Sequence, residues 1–560
     1  MSGQKHIINR QVLELTIREK ENVWAVQNKT SALVKEKLHP ELDKLFTRLS
    51  NDEEIVRIDK LVVDLGTIQE NGLEQVFVET AIRKISEQVN SLIAKGKSSA
   101  TQETEQKNKA DDRDLLITNK LNDYLDQFLF FLKNGYFPWW HEIPGTEKFS
   151  PQSLSRNIFK EILNVDNDLL RNTFLPLLKN QNVRKRLIYQ YNHSYLYELL
   201  KKLNAGLLQN LSAQFRILQN CSGSVFSEKR LSASFYEVVL QYFENEQFLI
   251  NNDQKIAFVK QILDLSLIGY SSVEKENKLA DFIQSSEIVR PGIQQKDTEI
   301  LVIAAIQVAA ELPFVSQHLN EIILNIHAKS GAAIDSWINE FARISQKKVA
   351  EETREKQELT DNTEILSAEK TADFGKKKVK ESFSPFPQKA QEDAETILVS
   401  NAGLVILHPF LKFFFEGLGL LNSELQFKNT ESVFKAIHLL QFIATGEETA
   451  EETDLVLNKI LCGVKISEPV PQSVQLSEEE KEECIFLMKT VLERWEALRT
   501  GNPAALRDTY LRREGILKRT GSSWNLVIER NTFDIMLERL PWSVSLVKLP
   551  WCEEILYVEW

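Results

Sequence analysis

Residues 301–326, LVIAAIQVAAELPFVSQHLNEIILNI, carry the most regular apolar pattern of this chain and indicate its fold class. Apolar side chains recur at spacings of four and three, at Leu301, Ala305, Val308, Leu312, Val315, Leu319, Ile322 and Ile326. This is the heptad spacing of packed α-helices. Pro313 lies inside the pattern and has no backbone N–H to donate, so the sequence predicts two packed helices and not one rod.

The whole middle part, residues 113–345, is predicted to be helical. Its first apolar stripe consists of Ile117, Leu121, Tyr124, Phe128, Phe131 and Leu132. Asn134 and Gly135 follow as a helix stop, and the aromatic sequence YFPWW occupies residues 136–140. Successive helix pairs resemble each other weakly, but no fixed period supports a solenoid.

Residues 1–95 are predicted to form a small β-α-β-α domain. QVLELTI, residues 11–17, and DKLVVDLGTI, residues 59–68, alternate apolar and polar side chains as half-buried strands do. Their apolar faces are Leu13, Leu15 and Ile17 in the first segment and Leu61, Val63 and Leu65 in the second. A helical pattern separates them, and Pro40 breaks it or starts its second piece. A second helix is predicted for residues 73–93.

Two segments are predicted to be disordered linkers. Residues 96–112, GKSSATQETEQKNKADD, contain no aliphatic residue larger than alanine, and residues 346–395 are dense in Lys, Glu, Thr and Gln. Neither segment could bury enough apolar surface to offset the entropy of ordering. They divide the chain into N-terminal, middle and C-terminal parts.

The C-terminal part, residues 396–560, is predicted to be an α+β domain. Ser477 and Glu480 form a capping box, which starts a helix whose buried stripe is Ile485, Met488, Leu492, Trp495 and Leu498. Three pieces near the end of the chain, WNLVIER, VSLVKLPW and ILYVEW, have strand patterns. The predicted fold class is therefore mainly α, with small α+β terminal domains, a helical middle part and disordered linkers.

Composition excludes several classes of protein. The chain has 560 residues, 42% of them hydrophobic and 26% charged, which is enough apolar material for several cores. Its net charge of −12 argues against a chain that coats nucleic acid. The longest apolar run, Ala402 to Leu421, contains His408, Pro409, Lys412 and Glu416, which argues against a membrane-spanning segment, and we expect no membrane partner in the assembled state. Four scattered cysteines and no signal-like start favour folding in a reducing cytoplasm.

Sequence motifs for catalysis and cofactors are not found. The chain has no phosphate-binding GxxxxGK[ST], no GxGxxG after a strand and no GxSxG elbow. Its eight histidines form neither an HxxxH nor an HExxH pair. His408 with Cys462 or Cys484 is a conceivable metal or nucleophile pair, but their spacing does not support it. We therefore expect no enzyme activity, no cofactor and no bound metal.

Three charged runs have conceivable ligands. The acidic run EETAEETD, residues 447–454, could hold a hard cation, but it lacks the central glycine of a calcium loop. RKR at residues 184–186 and KKKVK at residues 376–380 could contact phosphates. A solvated surface is the favoured interpretation of all three.

Tryptophan is concentrated in short motifs, which are PWW, LPW twice and a terminal VEW. Trp is large and amphipathic, so it is enriched both in cores and at interaction hot spots. Packing at the ends of secondary-structure elements is the simpler of the two interpretations.

At these motifs the chain resembles the tape measure protein family of contractile injection systems, which are phage-tail-like particles. The resemblance starts at HIINRQVLELTI and RIDKLVVDLGTI and continues through FLKNGYFPWW. It is most specific in NAGLVILHPFLKFFFEGLGLL, AIHLLQFIATGEE, LVLNKILCGVKISEPV, ERWEALRTGNPAALRDTYLRREGIL, WNLVIER, RLPW, LPW and VEW. The motif residues that we single out for possible interaction are Pro138, Trp139, Trp140, Asn401, Gly403, His408, Pro409, Trp495, Trp524, Pro541, Trp542, Pro550, Trp551 and Trp560.

The resemblance implies a structural role. A family member is expected to set the length of the tube and sheath during assembly, and to occupy the tube lumen. The implied partners are the inner tube protein, the baseplate and spike proteins and the tube-capping protein. The implied locations are the cytoplasm during assembly and then the tube. A few copies are expected, and the symmetry of a spike suggests a trimer, although no sustained trimeric coiled coil is present.

Two other functions are compatible with the residues. The linkers and aromatic motifs also suit a cytosolic adaptor or cargo-loading chaperone of the same particles. A hydrolase with an unrecognised site is supported by little beyond the size of the chain.

Overall fold

A computed structural model describes most of the chain, namely residues 6–9, 11–17, 23–49, 54–69, 73–100, 115–140, 160–222, 225–287, 294–313, 315–327, 336–344 and 396–560. The predicted linker 346–395, with its KKKVK run, lies outside the described residues. The predicted linker 96–112 does too, except that residues 96–100 continue a helix. The predicted fold class, mainly α with small sheets, is confirmed.

The chain divides into two compact units. The first combines Met1–Asp166 with Glu395–Trp560, and the second is Asn167–Ala394. Both ends of the sequence therefore belong to one unit.

The described residues of the N-terminal part of the first unit form helices and two short strands. The helices are α1 (Val23–Leu33), α2 (His39–Leu49), α3 (Leu73–Ala100) and α4 (Lys120–Asn134), and the strands are β1 (Glu54–Ile58) and β2 (Leu115–Asn119), which pair antiparallel. Pro40 is the second residue of α2, but a π-helical turn, Val34–Leu38, joins α1 to α2 without a gap, so the helix does not break or restart at Pro40 as predicted. A π-helical turn is a common irregularity within α-helices. The apolar faces of α2 and α3 form one cluster, which includes Leu42, Leu45 and Phe77.

The strands of this part lie elsewhere than the alternating pattern predicted. Residues 11–17 and 60–69 carry no assigned strand, and the observed strand β1 ends at Ile58. Residues 61–65 do alternate between half-buried and exposed, as the pattern predicted. Alternation predicts which side chains are buried, whereas a strand also needs a partner for its backbone, and the sequence pattern does not specify that partner.

Helix α4 ends where its sequence predicts, but it begins at Lys120, so the prediction that Ile117 belongs to its stripe is wrong and Ile117 lies in β2. The side chain of Asn119 accepts a hydrogen bond from the Asn122 N–H at the first turn. Gly135 adopts φ = 85° and its N–H donates to Phe131 O, which closes the last turn.

The second unit is helical throughout its described residues. Its helices are α5 (Asn167–Phe174), α6 (Gln181–Gln190), α7 (His193–Ser222), α8 (Glu228–Glu244), α9 (Asn252–Ser266), α10 (Ser272–Glu287), α11 (Gln295–Glu311) and α12 (Gln317–His327). Pro313 lies between α11 and α12, so the predicted break is confirmed. Across the described residues of the chain, no helix is both long enough and apolar enough to span a bilayer.

The RKR run on α6 is not a solvated surface, and that prediction is wrong. Arg186 is completely buried, and Arg184 is nearly so. The Arg184 guanidinium lies 3.1 Å from Glu237 Oε1 and 2.6 Å from Leu178 O. A helix that packs on several sides must bury part of its polar side, and arginine tolerates burial when its donors are paired.

The C-terminal part combines a five-stranded sheet with helices. The strands are β3 (Thr396–Val399), β4 (Gly515–Thr520), β5 (Ser523–Ile528), β6 (Leu546–Val547) and β7 (Ile555–Glu559), in the order β3-β4-β5-β7-β6. Only the β5–β7 pair is parallel. The helices are α13 (His408–Gly417), α14 (Thr430–Thr445), α15 (Val456–Leu461), α16 (Glu478–Arg494) and α17 (Pro503–Leu506).

The capping box of α16 is confirmed, but its buried stripe is partly wrong. The Ser477 hydroxyl accepts from Glu480 N, and the Glu480 carboxylate accepts from Ser477 N. Ile485 is 38% exposed, and Cys484 is buried in its place. Met488, Leu492 and Trp495 are buried as predicted, and Leu498 is half-buried beyond the end of the helix. Only the first position of the stripe is therefore wrong, because apolar spacing does not fix where a stripe starts to within one residue.

Candidate functional site: the motif residues of the C-terminal part

A buried amide network surrounds Asn401. Its Nδ2 lies 2.8 Å from Asn458 Oδ1 and 3.1 Å from Gln441 Oε1. Asn458 Nδ2 donates in turn to Ile437 O at 3.1 Å. Buried amides are costly unless they are paired. The network therefore fixes α14 and α15 against the turn that follows β3.

Gly403 lies where two backbone segments meet. A Cβ at this position would be 1.6 Å from Tyr510 O and 2.9 Å from Leu511 Cα. The neighbouring Ala402 N–H donates to Arg513 O at 2.9 Å. Only glycine allows this approach, so Gly403 positions the 3₁₀ segment Ala402–Leu407 within the core.

His408 and Pro409 start α13. Pro409 occupies a first-turn position, where proline is favoured. His408 Nδ1 lies 2.9 Å from Val405 O, and burial lowers the pKa of the imidazole. A neutral histidine with this backbone contact acts as part of the helix start.

Trp495 and Trp524 pack into the core and donate their indole N–H groups. Trp495 is completely buried, and its Nε1 lies 3.2 Å from Met536 O. Trp524 Nε1 lies 2.6 Å from Glu554 Oε2, and the Arg519 guanidinium lies 5.4 Å from the Trp524 ring.

The two LPW motifs place their tryptophans in the same way. Pro541 and Pro550 are exposed, and each precedes a Trp that points inward. Trp542 Nε1 donates to Ile406 O at 3.0 Å, and Trp551 Nε1 donates to Leu461 O at 2.8 Å. Each motif thus connects the C-terminal strands to an earlier part of residues 396–560, which we call the C-terminal module.

Trp560 follows β7 and contacts Asp534 and Arg513. Its Nε1 lies 3.2 Å from Asp534 Oδ2, and the Arg513 guanidinium lies 5.5 Å from its ring. Arg513 also forms an ion pair with Asp534 at 2.8 Å. All five tryptophans of residues 396–560 therefore have an internal hydrogen-bond acceptor, as expected for packing at element ends.

The PWW motif lies in the turn that follows α4 and not in the C-terminal part. Pro138 is buried, and Trp139 and Trp140 meet edge to face with their centroids 5.8 Å apart. The Arg57 guanidinium lies 4.8 Å from the Trp140 ring centroid. Nearby Tyr136 is buried in the apolar cluster that is otherwise formed by the C-terminal part. The YFPWW segment is therefore where the two ends of the chain meet.

The acidic run is the second charged run for which the predicted solvated surface is wrong. Glu451 and Glu452 are buried. The Lys459 ammonium lies 2.5 Å from Glu452 Oε1 and 2.8 Å from Ile466 O, and both charged side chains are fully buried. Burial also raises the pKa of Asp454 to about 6. A cation at this site is already provided by the chain itself.

The thiols near the motif residues are poor nucleophiles. Burial raises the pKa of Cys484 and of Cys552 to about 12 and that of Cys462 well above its usual value. A thiolate is the reactive form of cysteine. Within the described residues, no group of three or more His, Cys, Asp or Glu side chains is arranged to hold a metal ion.

Sequence reasoning missed the partners of the motif residues. Asn458, Gln441 and Lys459 lie inside the quoted motif segments LVLNKILCGVKISEPV and AIHLLQFIATGEE but were not singled out within them. A single Lys in the run LVLNKILC was the available signal, because an isolated charge among apolar residues needs a buried partner.

Comparison with known proteins gives a family match over almost the whole chain. The sequence model of the family described as contractile injection system tape measure protein matches residues 5–560. No curated protein and no solved structure matched the chain. The match covers the N-terminal part, the helical unit and the C-terminal module together. The chain belongs to the tape measure protein family of contractile injection systems.

Proposed function

We propose that this protein is a non-enzymatic internal scaffold that sets the length of tube and sheath during assembly and then occupies the tube lumen. The observation that supports this most strongly is the family match across residues 5–560. The mainly helical build of the chain also suits a structural part.

The proposed partners are those of the growing particle. They are the inner tube protein, the baseplate and spike proteins and the tube-capping protein, with a few copies of this chain in each particle. Assembly takes place in the cytoplasm, and the C-terminal module is the proposed anchor. The motif tryptophans of this module pack into its core, so other residues of the module contact the partners.

We propose that the helical part of the chain is the ruler, so that its length sets the length of the tube. A helix rises about 1.5 Å per residue, so 560 residues would span roughly 840 Å as one helix. The compact unit Asn167–Ala394 must open for the chain to reach such a length.

One observation favours the second candidate, a cytosolic adaptor or cargo-loading chaperone. Met1–Asp166 and Glu395–Trp560 form one compact unit. A ruler stretched between its two ends would have to break this unit, whereas an adaptor would retain it.

Particle length measured by electron microscopy separates the two candidates. In the helical unit, residues 252–287 form α9 and α10, and their in-frame duplication adds 36 residues between natural connections. The ruler predicts tubes longer by roughly 54 Å, at 1.5 Å per residue. A matched control inserts 36 residues after Gly521, in the β4–β5 turn of the proposed anchor.

The outcomes are distinct. Longer tubes with the first variant only, and the protein found in purified particles by mass spectrometry, support the ruler. Unchanged tube length with the protein absent from finished particles supports the adaptor.

A further inference from the structure

Two segments with strand patterns have no backbone partner among the described residues. We call residues 11–17 the arm and residues 60–66 the second segment. Both alternate apolar and polar residues, and neither is joined to any other described residue by a backbone–backbone hydrogen bond. Backbone N–H and C=O groups in an extended chain are a template for strand pairing.

Apolar side chains are exposed along the arm and at one position of the second segment, whose Leu61, Val63 and Leu65 are half-buried. Val12 is 62% exposed and Leu15 is 41% exposed on the arm, and Val62 is 69% exposed on the second segment. Single exposed apolar residues are normal, but several along one extended segment are typical of a contact surface.

The two segments are attached to different helices. Gln11 Oε1 lies 2.8 Å from His39 Nε2, at the start of α2. Asp64 O accepts from Lys84 Nζ at 2.6 Å, on α3. Among the described residues, neither segment pairs with a strand of its own chain.

Charge indicates which partner fits. If two arms paired symmetrically, Glu14 would lie opposite Glu14, because it is the central residue of 11–17, and like charges directly opposite each other are destabilising. An antiparallel pair of one arm and one second segment with Val12 opposite Val62 instead places Glu14 opposite Lys60. The same register places Leu13 opposite Leu61 on the other face.

We propose that the arm of one copy of this protein pairs antiparallel with the second segment of another copy. The chain carries both halves of this pairing, so a second copy satisfies each segment without any other protein. In this register residues 11–14 lie opposite residues 63–60, so the pairing gives these residues backbone partners and covers Val12 and Val62.

Cysteine cross-linking in the full chain tests the register. Val12→Cys and Val62→Cys are made in separate chains with different affinity tags, mixed and oxidised with diamide. Cys552 is half-exposed, and the other three cysteines are buried, so all variants also carry Cys552→Ser. We expect a disulfide between the two tagged chains. The matched control replaces Val12→Cys with Trp24→Cys, which lies outside both segments and is 76% exposed.

Any of four results would overturn the proposal. The first is equal cross-linking in the Trp24→Cys control, and the second is cross-linking of either variant only with itself. The third is a Val12→Cys/Val62→Cys double variant that closes within one chain at any dilution. Absence of every cross-link at concentrations up to those of purified protein would also overturn it.

A charge exchange measures the same contact without cysteines. By analytical ultracentrifugation, Glu14→Lys should weaken self-association by roughly two- to fivefold, because it places two cations opposite each other. Adding Lys60→Glu in the same chain should restore it. If the double variant associates no better than Glu14→Lys alone, the register is wrong.

Discussion

At the scale of single residues, close approach and burial decide which positions cannot change. Gly403 shows this most sharply, because the backbone at Tyr510 occupies the space of a Cβ. The sequence singled out Gly403 as part of a motif, but only the tertiary contact explains why a glycine is needed.

Gly403→Ala should destabilise the C-terminal module strongly. Backbone must move to admit the methyl group, and we expect a loss of about 3 kcal/mol or more in the free energy of unfolding. Tryptophan fluorescence during urea unfolding of the full chain measures it. Gly417→Ala is the control, since a Cβ there meets nothing within 4 Å, and an equal loss in both variants would contradict the explanation.

Asp454 makes the stability of the module depend on pH. Its pKa is raised from 3.8 to about 6 by burial. Between these values the folded state binds more protons than the unfolded state, so this group's contribution to stability falls as the pH rises from 4 to 6. Above about pH 6 the contribution of Asp454 to stability is fully lost.

Asp454→Asn should remove this loss. We expect the variant to be more stable than the native protein at pH 8, by at most about 3 kcal/mol, and equally stable near pH 4. Urea unfolding at both pH values checks it. Asp508→Asn, at an exposed carboxylate, should show no such pH-dependent gain, and a gain at pH 4 as large as that at pH 8 would rule out the proposed cause.

At the scale of elements, apolar spacing and end signals predicted the helices well. The break at Pro313, the stop at Gly135 and the capping box at Ser477 were all visible because each depends on residues adjacent in sequence. Strand pairing was not visible, because β1 pairs with β2 across more than fifty residues, and buried charges were missed for the same reason.

The Lys459–Glu452 pair connects α15 to the preceding 3₁₀ turn, and its loss should be costly. Lys459→Met leaves the Glu452 carboxylate buried without its cation, which we expect to cost about 3–5 kcal/mol. Combining it with Glu452→Leu should recover much of the loss. Lys44→Met breaks the exposed Lys44–Glu41 pair and should cost less than about 1 kcal/mol. Thermal unfolding of the native protein and the three variants measures these losses. Similar losses for Lys459→Met and Lys44→Met would contradict the effect of burial.

At the scale of the whole molecule, the first and last parts of the chain share one compact unit. The sequence predicted separate terminal domains around a helical middle, and the domain boundaries remain a proposal. Tyr136 packs in the same apolar cluster as the core of the C-terminal module. No local sequence pattern predicts such a contact.

Tyr136→Ala should loosen this association of the two ends. With a protease site engineered between residues 345 and 396, the cleaved native protein should elute as one complex of two fragments in size exclusion. The variant should release its C-terminal fragment, because a large buried aromatic contributes about 3–5 kcal/mol when truncated to alanine. Tyr197→Ala, at a 39% exposed position, is the control. Co-elution of the Tyr136→Ala fragments would show that other contacts suffice.

The sequence by itself determined the helices, their ends, the α+β character of the C-terminal part and the family, because these depend on spacing, on capping residues and on short ordered motifs. Tertiary structure alone decided the partner of each strand, the burial of Arg186, Glu452 and Lys459, and the association of both ends of the chain. The physical reason is that local patterns record which side chains avoid water. The partner of a buried charge or of a strand edge is chosen by packing between segments that are distant in sequence.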